Sequence, residues 1–113
     1  MDLGGFEAHA RRASLLLKAM SNQRRLIILC QLATGEKAVG ELESVVGLSQ
    51  SALSQHLARL RRDNLVQTRR VAQNIYYSLA SSEATAVMQT LNSLFRAQGR
   101  RIDQFNAAAG NVR

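Results

Sequence analysis

Between Val46 and Gln50 the chain reads Gly-Leu-Ser, and that corner constrains the fold more than any other stretch. Residues 39–46 before it and 50–62 after it both carry apolar residues at helical spacing. Gly47 lacks a Cβ and so tolerates the backbone angles of a tight reversal. Ser49 is placed to accept an orphan backbone N–H and cap the helix that follows. Val39, Leu42, Val46, Leu48, Leu53, Leu57 and Leu60 supply the apolar contacts that hold the two helices together. The stretch is the sequence form of a helix-turn-helix.

In that motif the second helix lies in the major groove of DNA. Gln50, Ser51, Ser54 and Gln55 fall within its first turn and a half, and Ser54 and Gln55 alternate with the buried Leu53 and Leu57, so they face outward. A glutamine amide pairs bidentately with adenine, and a serine hydroxyl donates or accepts at any base. His56 and Arg59 sit beside them, within reach of a phosphate or a base.

The charge agrees. The chain of 113 residues carries a net +7, which points to an anionic partner. Residues 49–77 hold Arg59, Arg61, Arg62, Arg69 and Arg70 against Asp63 alone, whereas residues 1–48 carry six basic and five acidic side chains and are nearly balanced. The excess is largest where a phosphate-binding face is needed.

Around the corner the organisation is simple. No proline and no low-complexity linker divides the chain, so residues 1–113 are expected to form one domain, with 99–113 as a C-terminal tail. Residues 6–19 read as a helix, with Phe6, Ala10, Ala13, Leu17 and Met20 at helical spacing. Ser21 or Asn22 caps a second helix to about Ala33, whose apolar face is Leu26, Leu29, Cys30 and Ala33. A short extended segment at Lys37–Ala38 precedes the motif. Leu65–Arg70 and Asn74–Leu79 are rich in β-branched and aromatic residues and predict a two-stranded hairpin. Its tip adds Gln73 and Asn74 to the candidate DNA-contacting residues. Tyr76 and Tyr77 must point to opposite faces. Residues 82–98 form a last helix with Ala84, Val87, Met88, Leu91, Leu94 and Phe95 in one stripe. A core this small has little room for that stripe and for the first helix together, so both are expected to pair with a second copy of the chain.

Composition and pattern exclude several classes. One cysteine makes no intramolecular disulfide, no apolar run approaches a membrane span, and no leader pattern opens the chain, so a cytoplasmic protein without a membrane partner is expected. An enzyme is not expected: there is no glycine-rich phosphate loop, and Glu41 and Glu43 lie two apart on different helix faces.

Helix order, corner and hairpin together resemble the winged helix-turn-helix repressors of the ArsR/SmtB family. The resemblance is carried by LKAMSNQRRLIIL (17–29), LSQSALSQHL (48–57) and RRVAQNIYYSL (69–79), and covers residues 13 to 96. The middle run is similar to the branch that holds haemolysin, biofilm and nodulation regulators. The resemblance implies an α+β, mainly α fold of about five helices plus a two-stranded wing. It also implies a homodimer formed through the first and last helices and a bacterial repressor on an inverted repeat of double-stranded DNA. It places His56 on the DNA side. The full set of candidate contacts is Ser49, Gln50, Ser51, Ser54, Gln55, His56, Arg59, Arg61, Arg62, Arg69, Arg70, Gln73 and Asn74.

Departures from the family concern its sensors. The family's thiolate metal site falls here on Ala38 and Gly40, ahead of Glu41 and Leu42, and neither residue binds a soft metal. Its other site needs His and carboxylates on the last helix, where residues 82–98 hold only Glu83. No metal or other cofactor is therefore expected, and no small-molecule effector is identified. In part of the branch two cysteines sense persulfide or oxidant. Cys30 matches the first, but the second position falls near Arg96, leaving Cys30 as a lone redox candidate. Two alternatives stay open at this stage: a thiol-responsive repressor acting through Cys30, and a non-specific architectural DNA-binding protein.

Overall fold

The computed structural model describes the backbone of residues 3–109 and the side-chain surroundings of residues 5–96. Helices α1 (Leu3–Met20) and α2 (Gln23–Ala33) come first. The short strand β1 (Lys37–Ala38) and helices α3 (Val39–Val46) and α4 (Gln50–Arg62) follow. Strands β2 (Val66–Val71) and β3 (Asn74–Leu79) and the long helix α5 (Ser82–Ala109) complete the chain.

Local chemistry sets the boundaries. Asn22, not Ser21, caps α2: its side-chain oxygen accepts from the backbone N–H of both Arg24 and Arg25. Ala38 has no oxygen to cap α3, and Glu41 compensates by accepting the Ala38 N–H at 3.0 Å. Gly47 takes φ +72°, the left-handed region that ends α3, and Ser49 Oγ accepts from Ala52 N–H to begin α4. The corner therefore has the chemistry read from its sequence.

One core unites the elements. Ile28, Leu29, Leu42, Leu53 and Leu60 are its largest fully buried side chains, and Met20, Leu57, Leu65, Val66, Ala84 and Met88 join them. Each such burial contributes roughly 1.5–3 kcal/mol.

One expectation is corrected and two are filled in. The two-stranded hairpin forms as expected, and the short extended segment joins it as a third strand in the order β1-β3-β2, because Lys37 and Ala38 pair with Tyr77 and Tyr76. The core face of α2 is Arg25, Ile28, Leu29 and Leu32, while Ala33 is only half-buried, as are Leu26 and Cys30 on the flank toward α5. Arg25 disguises that phase: it is a buried cation whose Nε donates to the Ala19 carbonyl at 2.7 Å. The last helix, expected over 82–98 with the tail from Gly99 either continuing it or fraying, runs through Gly99 to Ala109, since one interior glycine costs about 1 kcal/mol and does not end a helix. The part of the tail beyond 109, and the surroundings of Ile102 and Phe105, lie outside the described residues.

Among the described residues no helix is long and apolar enough to cross a membrane. Several large apolar side chains on α1 and α5 stay uncovered: Phe6 is 62%, Leu15 63%, Leu17 55%, Leu94 57% and Phe95 60% exposed.

Candidate nucleic-acid interface

Helix α4 buries Leu53, Leu57 and Leu60, which fixes its rotation about its own axis. Ser51, Gln55, Ala58 and Arg62 then form the ridge opposite the core, and all four are exposed. Gln50, Ser54 and Arg61 lie on one flank and are exposed as well. Ala52, His56, Arg59 and Asp63 lie on the other, and all four are half-buried. Ser49 is spent at its hydroxyl on the cap.

The first flank faces the hairpin. A groove of about 640 Å³ runs between them, lined by Val39, Ser54, Leu57, Ala58, Arg61, Arg62, Ile75 and Tyr77. Register assigns the two wing arginines to different faces. Arg70 lies across from Ile75, and Thr68 across from Tyr77, so Arg70 shares the face turned to α4. Arg69 lies across from Tyr76 on the opposite face.

That separation changes what Arg69 has to offer. Its Nη2 is 2.7 Å from Glu36 Oε1 and its Nε 3.0 Å from Oε2, and its guanidinium lies 4.8 Å from the Tyr76 ring centroid. The hydrogen bonds and charge of Arg69 hold the Glu36 carboxyl below its usual range, and Glu36 raises Arg69 in return. At the tip, Gln73 and Asn74 are exposed, and Ala72 takes φ +55° to close the reversal. No Asn-Gly or Asp-Gly pair marked that turn.

The second flank of α4 packs toward α2. Arg59 Nε donates to Asp63 Oδ2 at 2.8 Å, and Arg62 reaches the same carboxylate at 3.9 Å. His56 stays below its ordinary pKa, first through burial and then through Arg25 and Arg24 on α2. The structure thus brings Gln50, Ser51, Ser54, Gln55, Arg61, Arg62 and Arg70 to one surface. It ties Arg59 and Arg69 to carboxylates and turns His56 toward α2. Arg24 belongs to this neighbourhood but carries no local sequence signal, because its position beside α4 is set by helix packing.

Cys30 is half-buried, with Sγ donating to Asn92 Oδ1 at 3.4 Å, on a groove of about 530 Å³ lined mainly by Leu26, Ile27, Met88, Leu91 and Phe95. Among the described residues no group of three or more His, Cys, Asp or Glu side chains is arranged to hold a metal ion.

Comparison with known proteins follows the same lines. Residues 22–68 match the model of the bacterial regulatory proteins of the arsR family. The chain is 54% identical over 95 residues to the transcriptional activator HlyU of Vibrio cholerae, a match covering 84% of this chain and 88% of that protein. It is 39% identical over 95 residues to the biofilm growth-associated repressor of Xylella fastidiosa, covering 84% and 83%. The crystal structure of HlyU from Vibrio vulnificus superposes with a TM-score of 0.81 at 55% identity, covering 84% of this chain and 99% of that one.

Proposed function

The chain belongs to the ArsR family of bacterial regulatory proteins, a family of transcriptional regulators, and from that premise we propose a homodimeric repressor that reads an inverted-repeat operator. The observation that carries this reading is the exposed ridge Ser51, Gln55 and Arg62 on α4, standing beside a wing whose near face presents Arg70. Ser51, Ser54 and Gln55 read base edges, while Arg61, Arg62, Arg70, Gln73 and Asn74 hold the backbone. The protein works in the cytoplasm, where that DNA is.

The apolar side chains left open on α1 and α5 support the dimer. Isolated apolar residues are ordinary on a surface, but Phe6, Leu15, Leu17, Leu94 and Phe95 are concentrated on two helices that flank the domain. Two-fold symmetry in the protein then demands two-fold symmetry in the DNA site. One similar protein is named an activator and another a repressor. Repression needs no further surface, since occupancy alone blocks polymerase. Neither of the family's usual metal sites is retained, because Ala38 and Gly40 carry no thiolate and residues 82–98 hold only Glu83.

Selection from a pool of random duplexes, followed by sequencing, tests the proposal. A two-fold symmetric consensus bound by two protomers is the expected result. Retention of DNA without any consensus would leave the architectural reading in its place.

A further inference from the structure

A helix about 10–12 Å across fills a major groove about 12 Å wide, so a phosphate strand runs along each of its flanks. On the wing flank of α4 this chain supplies Arg61 and Arg70, neither of them ion-paired among the described residues. The other flank has no free cation of its own. Arg59 is held by Asp63, and His56 is half-buried against α2. What α2 brings to that side is therefore decisive.

Its first turn carries two adjacent arginines with opposite fates. Arg25 is buried and anchors α2 to the end of α1 through the Ala19 carbonyl. Arg24 is exposed and has no ion-pair partner among the described residues. Its backbone is held where α2 begins, because Asn22 Oδ1 accepts the N–H of both arginines at 2.9 and 3.1 Å. The side chain thus starts from a fixed point at the head of α2, the helix that packs on α4.

We propose that Arg24 is a DNA-backbone contact, grasping the phosphate strand that runs along the flank of α4 opposite the wing. The proposal rests on the DNA-binding reading above and deepens it. The domain then clamps both walls of the groove, with Arg70 and Arg61 on one and Arg24 on the other. A contact of this kind positions α4 and carries no base preference.

The test uses the full-length protein and a duplex recovered by the selection described above. Binding is followed by fluorescence anisotropy across a salt series for wild type, Arg24→Gln and Arg24→Lys. Arg24→Gln should reduce the slope of log K against log salt by about 0.9 for each protomer's lost contact, with the preference for the selected duplex over a shuffled one unchanged. Arg24→Lys should keep the wild-type slope. Phosphate-ethylation interference should lose positions on the side of each half-site away from the wing and keep those beneath it. Melting temperatures should match, because the Arg24 side chain is exposed and stands outside the core cluster. A slope and interference pattern identical to wild type in Arg24→Gln would overturn the inference alone. Failure of the wild-type protein to bind any duplex would instead refute the proposed function.

Discussion

Glu36 and Arg69 meet across 33 positions of sequence in a two-point ion pair, with oxygen–nitrogen distances of 2.7 and 3.0 Å. The pair ties the turn after α2 to the far face of the wing and neutralises one of its two arginines. A guanidinium already paired with a carboxylate releases few counterions from DNA, so Arg69 should add little to affinity while Glu36 is ionised.

Replacing the carboxylate frees that charge. Glu36→Gln should tighten binding to all duplexes and steepen the salt dependence by up to about 0.9 per protomer. Anisotropy at several salt concentrations checks it. An unchanged affinity and slope would show that Arg69 has no path to the backbone.

Arg70 should behave in the opposite sense. It shares the α4 face of the wing with Ile75 and has no ion pair among the described residues. Arg70→Ala should weaken operator and shuffled duplexes by the same factor and flatten the salt slope. Equal slopes for wild type and Arg70→Ala would contradict this placement.

His56 gives the fold a pH dependence of defined sign. Burial, reinforced by Arg25 and Arg24, holds its folded pKa below the ordinary 6.5. The unfolded chain therefore takes up the proton first as pH falls. Stability from neutral His56 is complete above 6.5 and is lost as pH drops from there through the folded value. Glu36, whose pKa is depressed below 4.5, acts in a separate and lower window. Urea midpoints measured on either side of pH 6.5 should fall on acidification in wild type and fall less in His56→Gln. Parallel curves for the two proteins would remove His56 from the account.

The helix-turn-helix and the hairpin strands were legible because their signals are local. Gly47 and Ser49 encode the corner within three residues, and the β-branched and aromatic content of Asn74–Leu79 encodes a strand by itself. The division of Arg69 from Arg70 came from the register of the hairpin, although period-two alternation implies it, because adjacency in sequence invited treating them as a pair. The third strand was not legible as such, since two residues at Lys37–Ala38 have no periodicity and gain their structure from Tyr76 and Tyr77. The phase of α2 was hidden by a charge in the core, because nothing local announces that Arg25 finds the Ala19 carbonyl. Arg24 was overlooked for a related reason: its significance comes from the helix it lies beside.

Cys30 is the remaining sequence signal, and the structure gives it an ordinary partner in Asn92. With no second cysteine in the chain, no intrachain disulfide or polysulfide bridge can form. DNA affinity of the wild-type protein should be unaltered by polysulfide treatment, and Cys30→Ser should bind equally well before and after it. Loss of binding on treatment of wild type but not of Cys30→Ser would make Cys30 a sensor.

The central claim is that the exposed ridge of α4 reads sequence, and Gln55 is its most informative member. Anisotropy should be measured for wild type and Gln55→Ala on the selected operator and on a shuffled duplex of equal length. Wild type should prefer the operator, and Gln55→Ala should lose about 1–3 kcal/mol per half-site on the operator alone. Equal binding of both duplexes by wild type, with no effect of Gln55→Ala on either, would contradict that claim.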